Sequence, residues 1–493
     1  MESPVVSSAQ MRDAENAAFA RGVEVEALMD EAGAGIARAV RKFFPRPGNC
    51  VVYAGKGHNG GDALVAAEHL QRVGWKIDIV LAFPEEDCSE LTRKKLQALR
   101  GASLGKMSIL ARSPTIVLDG LLGLGAKFLL REPIRTYARE INRRRREENV
   151  FVFAVDLPSG MDSDSGEVDP EDCVVADFTI TIGFAKHGLV LDEALDHVGR
   201  IEVVPLVDLP PPETEPNEIV AAPFALASLL PRRKFSAYKN QFGRVGIVAG
   251  SEGFIGAAIM TTKGALRGGA GLVNLFVPRD LYTLVADLAP DEAMVKPLRS
   301  HKDLAEQDVD VWAVGPGLGS ERAADIVKFI DTAQQPMVLD ADALNALAGK
   351  LPMLKRSPGP RLLTPHPGEM DRLVESGKMS RAGRVRTFCE HFPVTLMLKG
   401  SRTVVGERGK PLSYNSTGHP GMATGGMGDV LTGVCAALIA QKLSMYDAAR
   451  VGAWVCGRAG EMSIFQSGES EQSLLPSDVL ENLGRGFNEM RAR

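Results

Sequence analysis

The sequence predicts an α/β protein of two domains, each with a mainly parallel sheet, and three observations support this. The chain has 493 residues, well above the roughly 100–200 residues of a typical domain. Short apolar runs alternate with longer amphipathic segments in both halves, which is typical of βαβ units. A segment rich in proline and acidic residues, VDLPPPETEPNEIV (207–220), separates the two series of runs.

The first half begins with helix and continues as strands. Apolar residues at a broken helical spacing predict helix from about Ala9 to Phe44, with a break at Gly22. Six strand-like runs follow: NCVVYAG, WKIDIVLAF, TIVLDGLLG, VFVFAVDLP, ADFTITIG and RIEVVPL. Because proline cannot donate a backbone hydrogen bond, the proline-rich segment is neither a central strand nor a helix interior. We therefore predict domains at 1–210 and 223–493 and a linker at 211–222.

The second half contains seven strand-like runs: GRVGIVAG, AGLVNLFVP, DVWAVGPG, QPMVLDA, PRLLTPH, VTLMLKG and RTVVGE. A glycine-rich turn then leads into an apolar helix, GGMGDVLTGVCAALIA. The two halves do not look like copies of each other, and the chain shows no short-period repeat. We therefore interpret the motifs of each half separately.

Composition and charge exclude several classes of function. Hydrophobic residues make up 45% and charged residues 24% of the chain, as in soluble globular proteins. The net charge of −5 gives no reason to expect nucleic acid or an anionic membrane as a partner. No apolar run approaches the roughly 20 residues of a membrane span, and no signal peptide is visible. The six cysteines show no CxxC spacing, so we expect a reducing, cytoplasmic location.

A glycine-rich segment, GKGHNGG (55–61), follows the first strand-like run and precedes an apolar helix. Gly55, Gly57 and Gly60 match G-x-G-x-x-G, and Asp78 follows about 20 residues later, as in dinucleotide-binding turns. Such a turn directs backbone N–H groups and a helix N-terminus at a phosphate. A tight strand-to-helix turn without a ligand is the alternative for this spacing.

Polar side chains accompany the strand ends of the first half. Asp119 and Asp156 each end a strand-like run, and Ser159 follows Asp156 in DLPSG. Asn59 and Asp62 stand beside the glycine-rich turn, where Asp62 is a helix N-cap, a ligand contact or both. Because the carboxyl ends of parallel strands converge on one crevice, we expect these groups to meet. Oxygen ligands of this kind suit a hard cation such as K⁺, Na⁺ or Mg²⁺ rather than zinc.

The motifs GKGHNGGD, DGLLGLG and DLPSG, preceded by LMDEAG, resemble the NAD(P)H-hydrate epimerase family over about residues 1–210. The resemblance implies a Rossmann-like fold and interconversion of the R and S forms of NADHX and NADPHX, which are nicotinamide rings damaged by water addition. It implies that K⁺ is bound by Asn59, Asp119 and Ser159, and that Asp156 transfers a proton at the carbinol centre. The implied contacts to the hydrate come from His58, Asn59, Gly60, Gly61, Asp62, Gly123, Leu124, Gly125, Ala126, Lys127, Phe128, Leu129 and Asp156.

The chain departs from the epimerase pattern in two motifs. The family's NNGGDG reads HNGGDA here, with His58 and Ala63, and LMENAG reads LMDEAG. His58 keeps a hydrogen-bonding side chain, so we expect binding to be retained. The reversion His58→Asn raises the epimerase rate if this departure matters, and leaves it unchanged otherwise.

The most specific motif of the second half is GMATGGMGDVLTG (421–433). Gly425, Gly426 and Gly428 precede Asp429 at the start of an apolar helix, so successive N–H groups can form an anion hole for a phosphoryl group. A carboxylate in that turn can accept the proton of an attacking hydroxyl, whereas a helix N-cap is the alternative for Asp429. The P-loop pattern GxxxxGK[ST] is absent.

Two further segments are candidates for binding. Residues 399–403 close a strand and either hold nucleotide phosphates or ribose, or form a simple hairpin turn. His366 in TPHPGEM is either a substrate contact or a rigid loop residue between prolines.

The segments KNQFGRVGIVAGS, VGPGLG, LDADALNAL, TPHPGEM, KGSRT and GGMGD resemble, in this order, the ribokinase-like superfamily and its ADP- or ATP-dependent NAD(P)H-hydrate dehydratases, from about Tyr238 to Leu480. The resemblance implies an α/β/α fold and Mg²⁺ with ADP or ATP as co-substrate. The implied contacts to the hydrate come from Ala258, Gly319, His366, Pro367, Gly368, Glu369, Met370, Asp371, Arg372 and Asp429. Those to the nucleotide come from Lys399, Gly400, Ser401, Arg402, Thr403, Asn415, Gly425, Gly426, Met427 and Gly428.

The two resemblances together imply one repair sequence. Asp429 deprotonates the ring hydroxyl, the terminal phosphoryl group of the nucleotide transfers to it, and phosphate then leaves to restore the reduced nicotinamide. The dehydratase acts on the S form, and the epimerase supplies it from the R form. Relatives of both domains assemble into homo-oligomers, so we expect the same of this chain.

Three alternatives stay open on the sequence alone. The first half fits an NAD-dependent dehydrogenase by its glycine spacing and Asp78, although hydride transfer does not require the oxygen-rich cluster. The second half fits a ribokinase-like sugar or vitamin kinase, because the same anion hole serves many acceptors. The first half also fits a mere binding or dimerisation module, which His58 favours mildly and the retained polar groups do not.

Overall fold

The computed structural model describes residues 2–99, 103–104, 114–125, 129–375 and 377–491. Two compact units meet in the chain between Val220 and Ala221. This division lies inside the predicted linker, whose limits stay a prediction, and one short strand, Glu218–Ala221, crosses it. Among the described residues, no helix has both the length and the apolar character needed to cross a membrane.

The N-terminal unit consists of nine strands and six helices in the described part of the chain. The strands are β1 (Val5–Val6), β2 (Asn49–Ala54), β3 (Lys76–Leu81), β4 (Ser103–Leu104), β5 (Thr115–Gly120), β6 (Phe151–Val155), β7 (Phe178–Ile182), β8 (Ala185–Lys186) and β9 (Arg200–Val204). The helices are α1 (Ser8–Ala20), α2 (Val25–Phe43), α3 (His58–Arg72), α4 (Glu90–Ala98), α5 (Ile134–Glu148) and α6 (Leu195–Val198).

Seven of these strands form one parallel sheet in the order β4-β3-β2-β5-β6-β7-β9, and β1 pairs with β8 in a small parallel sheet. The strand order reverses at β2, so the carboxyl ends of β2 and β5 flank a crevice of the kind that binds ligands in doubly wound sheets. The predicted Rossmann-like parallel sheet is confirmed. The predicted break at Gly22 is also confirmed, because it separates α1 from α2.

The C-terminal unit contains the remaining elements. Its strands are β10 (Glu218–Ala221, at the division), β11 (Arg244–Val248), β12 (Leu272–Pro278), β13 (Ala293–Leu298), β14 (Val311–Val314), β15 (Met337–Leu339), β16 (Arg361–Leu363), β17 (Thr395–Leu398), β18 (Val404–Gly406) and β19 (Leu412–Asn415). Its helices are α7 (Pro223–Leu226), α8 (Ile255–Arg267), α9 (Tyr282–Leu288), α10 (Ala323–Thr332), α11 (Asp342–Leu347), α12 (Pro367–Leu373), α13 (Arg381–His391), α14 (Met427–Ala440), α15 (Met445–Phe465) and α16 (Pro476–Arg491).

The C-terminal strands form a sheet in the order β10-β19-β18-β17-β16-β15-β14-β11-β12-β13. The strands from β13 to β17 pair in parallel, whereas β17, β18 and β19 pair antiparallel. This mixed α/β architecture confirms the predicted fold class. The edge strand β13 was not predicted, because most of its side chains are partly or fully exposed and it has no continuous apolar run.

Glycine allows two helix pairs to pack unusually closely. A Cβ on Gly433 of α14 would lie 2.0 Å from the Thr261 oxygen of α8, and one on Gly264 would lie 2.4 Å from the Val430 oxygen. In the N-terminal unit, a Cβ on Gly33 of α2 would lie 2.4 Å from the Val65 side chain of α3. The glycine of LMDEAG therefore lets α2 support the helix that starts at the glycine-rich turn.

Candidate active sites

The glycine-rich turn between β2 and α3 holds the backbone close to its neighbours. A Cβ on Gly55 would lie 2.0 Å from the Leu121 oxygen, and one on Gly60 would lie 2.1 Å from the Gly55 oxygen. No side chain fits such distances, so close backbone approach requires these glycines. Helix α3 begins at His58 after the N-cap Gly57, without a side-chain cap, so its first turn offers backbone N–H groups to an anion.

Asp119 and Ser159 meet at the carboxyl ends of β5 and β6. The fully buried Asp119 accepts hydrogen bonds from the Ser159 amide at 2.8 Å and the Ser159 hydroxyl at 2.7 Å. Burial raises the pKa of Asp119 to about 6, although hydrogen bonds from Ser159 and Leu121 favour the carboxylate. Asn59 lies beside the following loop, because a Cβ on Gly123 would be 2.8 Å from Asn59 Oδ1. The buried Asn59 amide nitrogen has no hydrogen-bond partner in the described structure.

Asp156 ends β6 in a left-handed backbone conformation, with φ of 66°. A residue other than glycine is rarely found there, and such conformations cluster at functional sites. Asp156 Oδ1 accepts hydrogen bonds from the Ile182 amide at 3.1 Å and the Thr181 hydroxyl at 3.4 Å. It also pairs with the ammonium of Lys186, whose side chain is fully buried on β8.

Two more carboxyl groups lie near this ion pair. Burial, and then the charge of Asp156, raise the pKa of Asp62 well above its ordinary value. Burial also raises the pKa of Glu15 on α1, against the opposing charge of Lys186. Helix α3 starts at His58, so Asp62 lies in its second turn and the N-cap alternative for Asp62 is wrong.

The other described residues predicted for the first site belong to the turn and to the segment after β5. Gly61 packs against Met29 of LMDEAG, since an added Cβ would lie 2.5 Å from its methyl carbon. Gly125 and Leu129 both have positive φ, at 96° and 71°, and His58 is exposed. Ala126, Lys127 and Phe128 lie outside the described residues.

In the second unit, helix α14 begins directly behind the glycine turn. Gly426 has φ of 92° and precedes Met427, the first helical residue, while Gly425 is exposed. Asp429 is therefore in the first turn of the helix, and its alternative interpretation as the N-cap is wrong. Burial raises the pKa of Asp429 to about 6, with the charge of Asp340 adding to the increase and Lys399 opposing it.

A buried ion pair lies next to this turn. Lys399 Nζ, at the end of β17, donates to Asp340 Oδ1 at 2.6 Å, and Thr432 of α14 donates to Asp340 Oδ2 at 2.7 Å. Burial alone lowers the pKa of Lys399, but the charges of Asp340 and Glu369 outweigh it and raise the pKa above its ordinary value. A Cβ on Gly428 would lie 3.1 Å from Lys399 Nζ, so the turn and the ammonium are neighbours.

The TPHPGEM segment forms the start of α12 by a reciprocal cap. His366 Nδ1 accepts from the Gly368 amide at 3.0 Å, and Glu369 accepts from the His366 amide at 2.9 Å. The predicted contact Pro367 is the first residue of α12, whereas Met370 is fully buried in the core. His366 is thus the N-cap of α12, as expected of a rigid loop residue, and its imidazole Nε2 lies 3.6 Å from Glu369 Oε1.

Asp371 and Arg372, the last residues of that predicted loop, have partners elsewhere. Asp371 pairs with Arg384 of α13, and Arg372 donates to Asn345 at 2.8 Å. The Lys399 amide donates to the Pro365 carbonyl at 2.8 Å, which joins the TPHPGEM loop to the predicted nucleotide segment.

Residues 399–403 connect the antiparallel strands β17 and β18, so the segment does form a hairpin turn. Gly400 and Arg402 have positive φ, and the Thr403 hydroxyl donates to the Gly400 carbonyl at 3.1 Å, beside Ser401. The Asn415 amide donates to the Thr403 carbonyl at 2.8 Å, which brings two predicted nucleotide segments together.

Ala258 and Gly319 occupy other loops and helices of the C-terminal unit. Ala258 is fully buried in α8, with its side chain towards Gly250, so only its backbone is suited to a ligand contact. Gly319 has φ of 70° and its amide donates to Asp342 at 2.8 Å.

Comparison with known proteins identifies both halves. The family described as NAD(P)H-hydrate dehydratase matches residues 245–483, and the family described as YjeF-related protein N-terminus matches residues 25–188. A bifunctional NAD(P)H-hydrate repair enzyme of Moorella thermoacetica is 35% identical over 494 aligned residues, covering 92% of this chain and 91% of the relative. The chain belongs to the family of bifunctional NAD(P)H-hydrate repair enzymes.

Solved structures match a little over half of the chain. A ribokinase-like superfamily protein of Enterococcus faecalis has a TM-score of 0.50 at 25% identity, covering 57% of this chain and 99% of its own. An ADP/ATP-dependent NAD(P)H-hydrate dehydratase of Bacillus subtilis, crystallised with ATP and Mg²⁺, has a TM-score of 0.48 at 27% identity. The match covers 54% of this chain and 97% of the dehydratase. The ribokinase-like fold predicted for the second half of the repair enzyme is confirmed.

Sequence reasoning missed three charged residues of these sites in the repair enzyme. Asp340 directly follows β15, as Asp156 directly follows β6, so the rule that found acids at strand ends also applies to Asp340. Lys186 and Glu15 offered no such signal. Lys186 reaches the site through the turn after β7, and Glu15 reaches it through the pairing of β1 with β8, a contact between distant segments of the chain.

Proposed function

We propose that this protein repairs hydrated nicotinamide cofactors in two steps. The N-terminal unit epimerises the R and S forms of NADHX and NADPHX, and the C-terminal unit dehydrates the S form at the expense of ADP or ATP. The chain's match to bifunctional repair enzymes over nearly its whole length supports the pairing of activities. The observation that supports the second step most directly is Asp429, which stands at a glycine turn beside a buried Lys–Asp pair.

The second site fits the transfer of a phosphoryl group. Successive backbone N–H groups at Gly425, Gly426 and Gly428 and the start of α14 suit the negative oxygens of the terminal phosphate. Lys399 adds a positive charge at that turn, held in place by Asp340. A carboxyl with a pKa of about 6 is mostly ionised at neutral pH and still basic enough to accept a hydroxyl proton.

The reaction then balances around Asp429. The ring hydroxyl gives its proton to Asp429, its oxygen bonds to the terminal phosphorus, and the bond from phosphorus to the nucleotide breaks. The ring nitrogen then supplies the electron pair that expels phosphate, which restores the reduced nicotinamide. Glu369, whose charge acts on Asp429, would help to hold a Mg²⁺–nucleotide complex, in which the ion would screen phosphate charge.

The first site fits acid–base chemistry at a carbinol centre. Its crevice lies where the strand order of the sheet reverses, and Asp156 follows the nearby strand β6 in a strained backbone conformation. We propose that Asp156 transfers the proton and that the turn with His58 to Asp62 holds the hydrate. The oxygens of Asn59, Asp119 and Ser159 carry one formal charge together, which suits K⁺ better than a divalent ion.

We further propose a cytoplasmic, homo-oligomeric enzyme. All six cysteines are free and buried, which suits a reducing compartment.

Stoichiometry tests the second step. Purified S-NADHX is incubated with the protein, Mg²⁺ and ADP, and released phosphate, AMP and NADH are measured together. The proposal predicts equal amounts of the three products, with ATP tested in parallel. NADH without phosphate, or a stable phosphorylated product without NADH, contradicts this mechanism.

A further inference from the structure

Lys186 is a fully buried lysine that belongs to none of the sequence motifs. Its ammonium donates to the Ile182 carbonyl at 3.0 Å, to the Thr181 hydroxyl at 3.3 Å and to Asp156 Oδ1. An ammonium has three donors, so these three acceptors satisfy it completely. Such pairing offsets the large cost of removing a charge from water, and it also fixes the position of the group.

The same contacts fix one oxygen of Asp156. Oδ1 receives Lys186, the Ile182 amide at 3.1 Å and the Thr181 hydroxyl at 3.4 Å. In the described part of the chain, no donor reaches Oδ2, which leaves that oxygen for a ligand.

The strand pairing of β1 with β8 brings a further acid to this ion pair. Val6 is in register with Lys186, and α1 begins directly after β1 with Glu15 on it. The charges of Lys186 and Asp156 both act on Glu15, and those of Asp156, Glu15 and Lys186 all act on Asp62 of α3. Three carboxyl groups therefore share one buried ammonium, with Arg12 of α1 as a further cation that acts on Glu15.

We infer that Lys186 is a positioning residue of the N-terminal site, which fixes Asp156 through Oδ1 and leaves Oδ2 for the ligand. This inference rests on the proposed epimerase function. An ammonium at hydrogen-bonding distance favours the charged form of a carboxyl, whereas burial and a nearby carboxylate favour the neutral form. Epimerisation needs both a base and an acid, and the raised pKa values of Glu15 and Asp62 suit these two carboxyls to the role of acid.

The chemical step balances with these groups. A neutral carboxyl gives its proton to the ring hydroxyl, the carbon–oxygen bond breaks, and the ring nitrogen supplies the electrons for a carbon–nitrogen double bond. A water molecule then adds to the opposite face and its proton passes to Asp156. The net change is inversion at the carbon and transfer of one proton within the cluster. Proton exchange among the three carboxyls then returns that proton.

The test compares Lys186→Met with Lys95→Met in the full chain. Lys95 is a matched control, because it is nearly buried and pairs with Glu26 at 2.6 Å and Asp30 at 2.7 Å. Epimerase kcat and KM are measured on purified R-NADHX from the NADH formed with ADP and Mg²⁺, after subtraction of the spontaneous interconversion. Excess separate dehydratase is added so that epimerisation limits the rate.

Lys186→Met is expected to lower epimerase kcat about 100-fold with KM within about threefold, and to move the acidic limb of the pH profile to higher pH. Lys186→Arg is expected to restore part of kcat, since it restores the charge. Lys95→Met is expected to stay within about threefold of the unaltered protein. The inference is overturned if Lys186→Met and Lys95→Met lose epimerase kcat equally, or if the acidic limb of the pH profile stays in place in Lys186→Met.

Glu15→Gln keeps the inference testable if Lys186→Met fails to fold. Glutamine cannot supply a proton to the ring hydroxyl, so epimerase kcat is expected to fall with KM within about threefold. An unchanged kcat overturns the shared cluster. If the unaltered protein itself shows no epimerisation, the proposed function of the first unit fails, and the role of Lys186 fails with it.

Discussion

At Asp429, burial and neighbouring charges set the protonation state of a single carboxyl. Its position in the first turn of α14 places it beside the anion-binding glycines and within reach of the charge on Lys399. The role of this carboxyl as a base and its raised pKa can be tested separately, the first by dehydratase kcat and the second by the pH profile.

Replacing the carboxyl with an amide removes the base while keeping its shape. We expect Asp429→Asn to lower dehydratase kcat on S-NADHX by about 10²- to 10⁴-fold, and to leave epimerisation of R-NADHX within about twofold. Asp447→Asn is a matched control, because Asp447 also lies in the first turn of a helix, α15. A comparable loss in both variants would show that the acid serves helix stability instead of catalysis.

The pH dependence of the dehydratase follows from the raised pKa of Asp429. The base must be ionised to accept a proton, so kcat/KM is expected to fall as the pH drops through about 6. An ordinary exposed aspartate loses its charge only near pH 4. A pH–rate profile on S-NADHX with saturating nucleotide checks this, and an acidic limb near 4 would contradict the buried, coupled carboxyl.

At the scale of elements, close helix packing supports the second site. Gly264 and Gly433 let α8 and α14 approach until backbone atoms touch, and α14 carries the anion-binding turn at its start. A shift of α14 would move Asp429 and Thr432 together, because both belong to its first two turns. The packing of these helices therefore determines the geometry of the site.

The contact between α8 and α14 leaves no room for a methyl group at Gly433. We expect Gly433→Ala to destabilise the C-terminal unit by about 1–3 kcal/mol, since its Cβ would lie 2.0 Å from the Thr261 oxygen. Gly484→Ala in α16 is the control: no atom lies within 4 Å of its Cβ, so alanine is expected to stabilise by about 0.5–1 kcal/mol. The urea concentration at half-loss of dehydratase activity measures both, and equal midpoints would refute the packing argument.

At the scale of the whole molecule, local patterns predicted the fold class and the glycine turns. Each predicted strand-like run became a strand, because a buried parallel strand is a continuous apolar run. The acids at strand ends were found in the same way, since sheet topology places them on one edge. The N-cap interpretations of Asp62 and Asp429 failed, because the helices start four and two residues before them.

The residues that sequence reasoning missed depend on contacts between distant segments. Lys186 meets Asp156 through a turn after β7, and Glu15 joins them only through the β1–β8 pairing. Asp340 meets Lys399 across strands that are 59 residues apart in the chain. No local periodicity encodes such pairs, and a single buried lysine looks like any other lysine in the sequence.

The most direct test of two-step repair uses a mixed preparation of R- and S-NADHX with Mg²⁺ and K⁺. The return of reduced-nicotinamide absorbance is followed with and without ADP, against the slow spontaneous interconversion of the two forms. We expect rapid and complete recovery with ADP and none without a nucleotide. A fast phase that stops at the S fraction would contradict the epimerase, and no recovery with either ADP or ATP would contradict the repair function altogether.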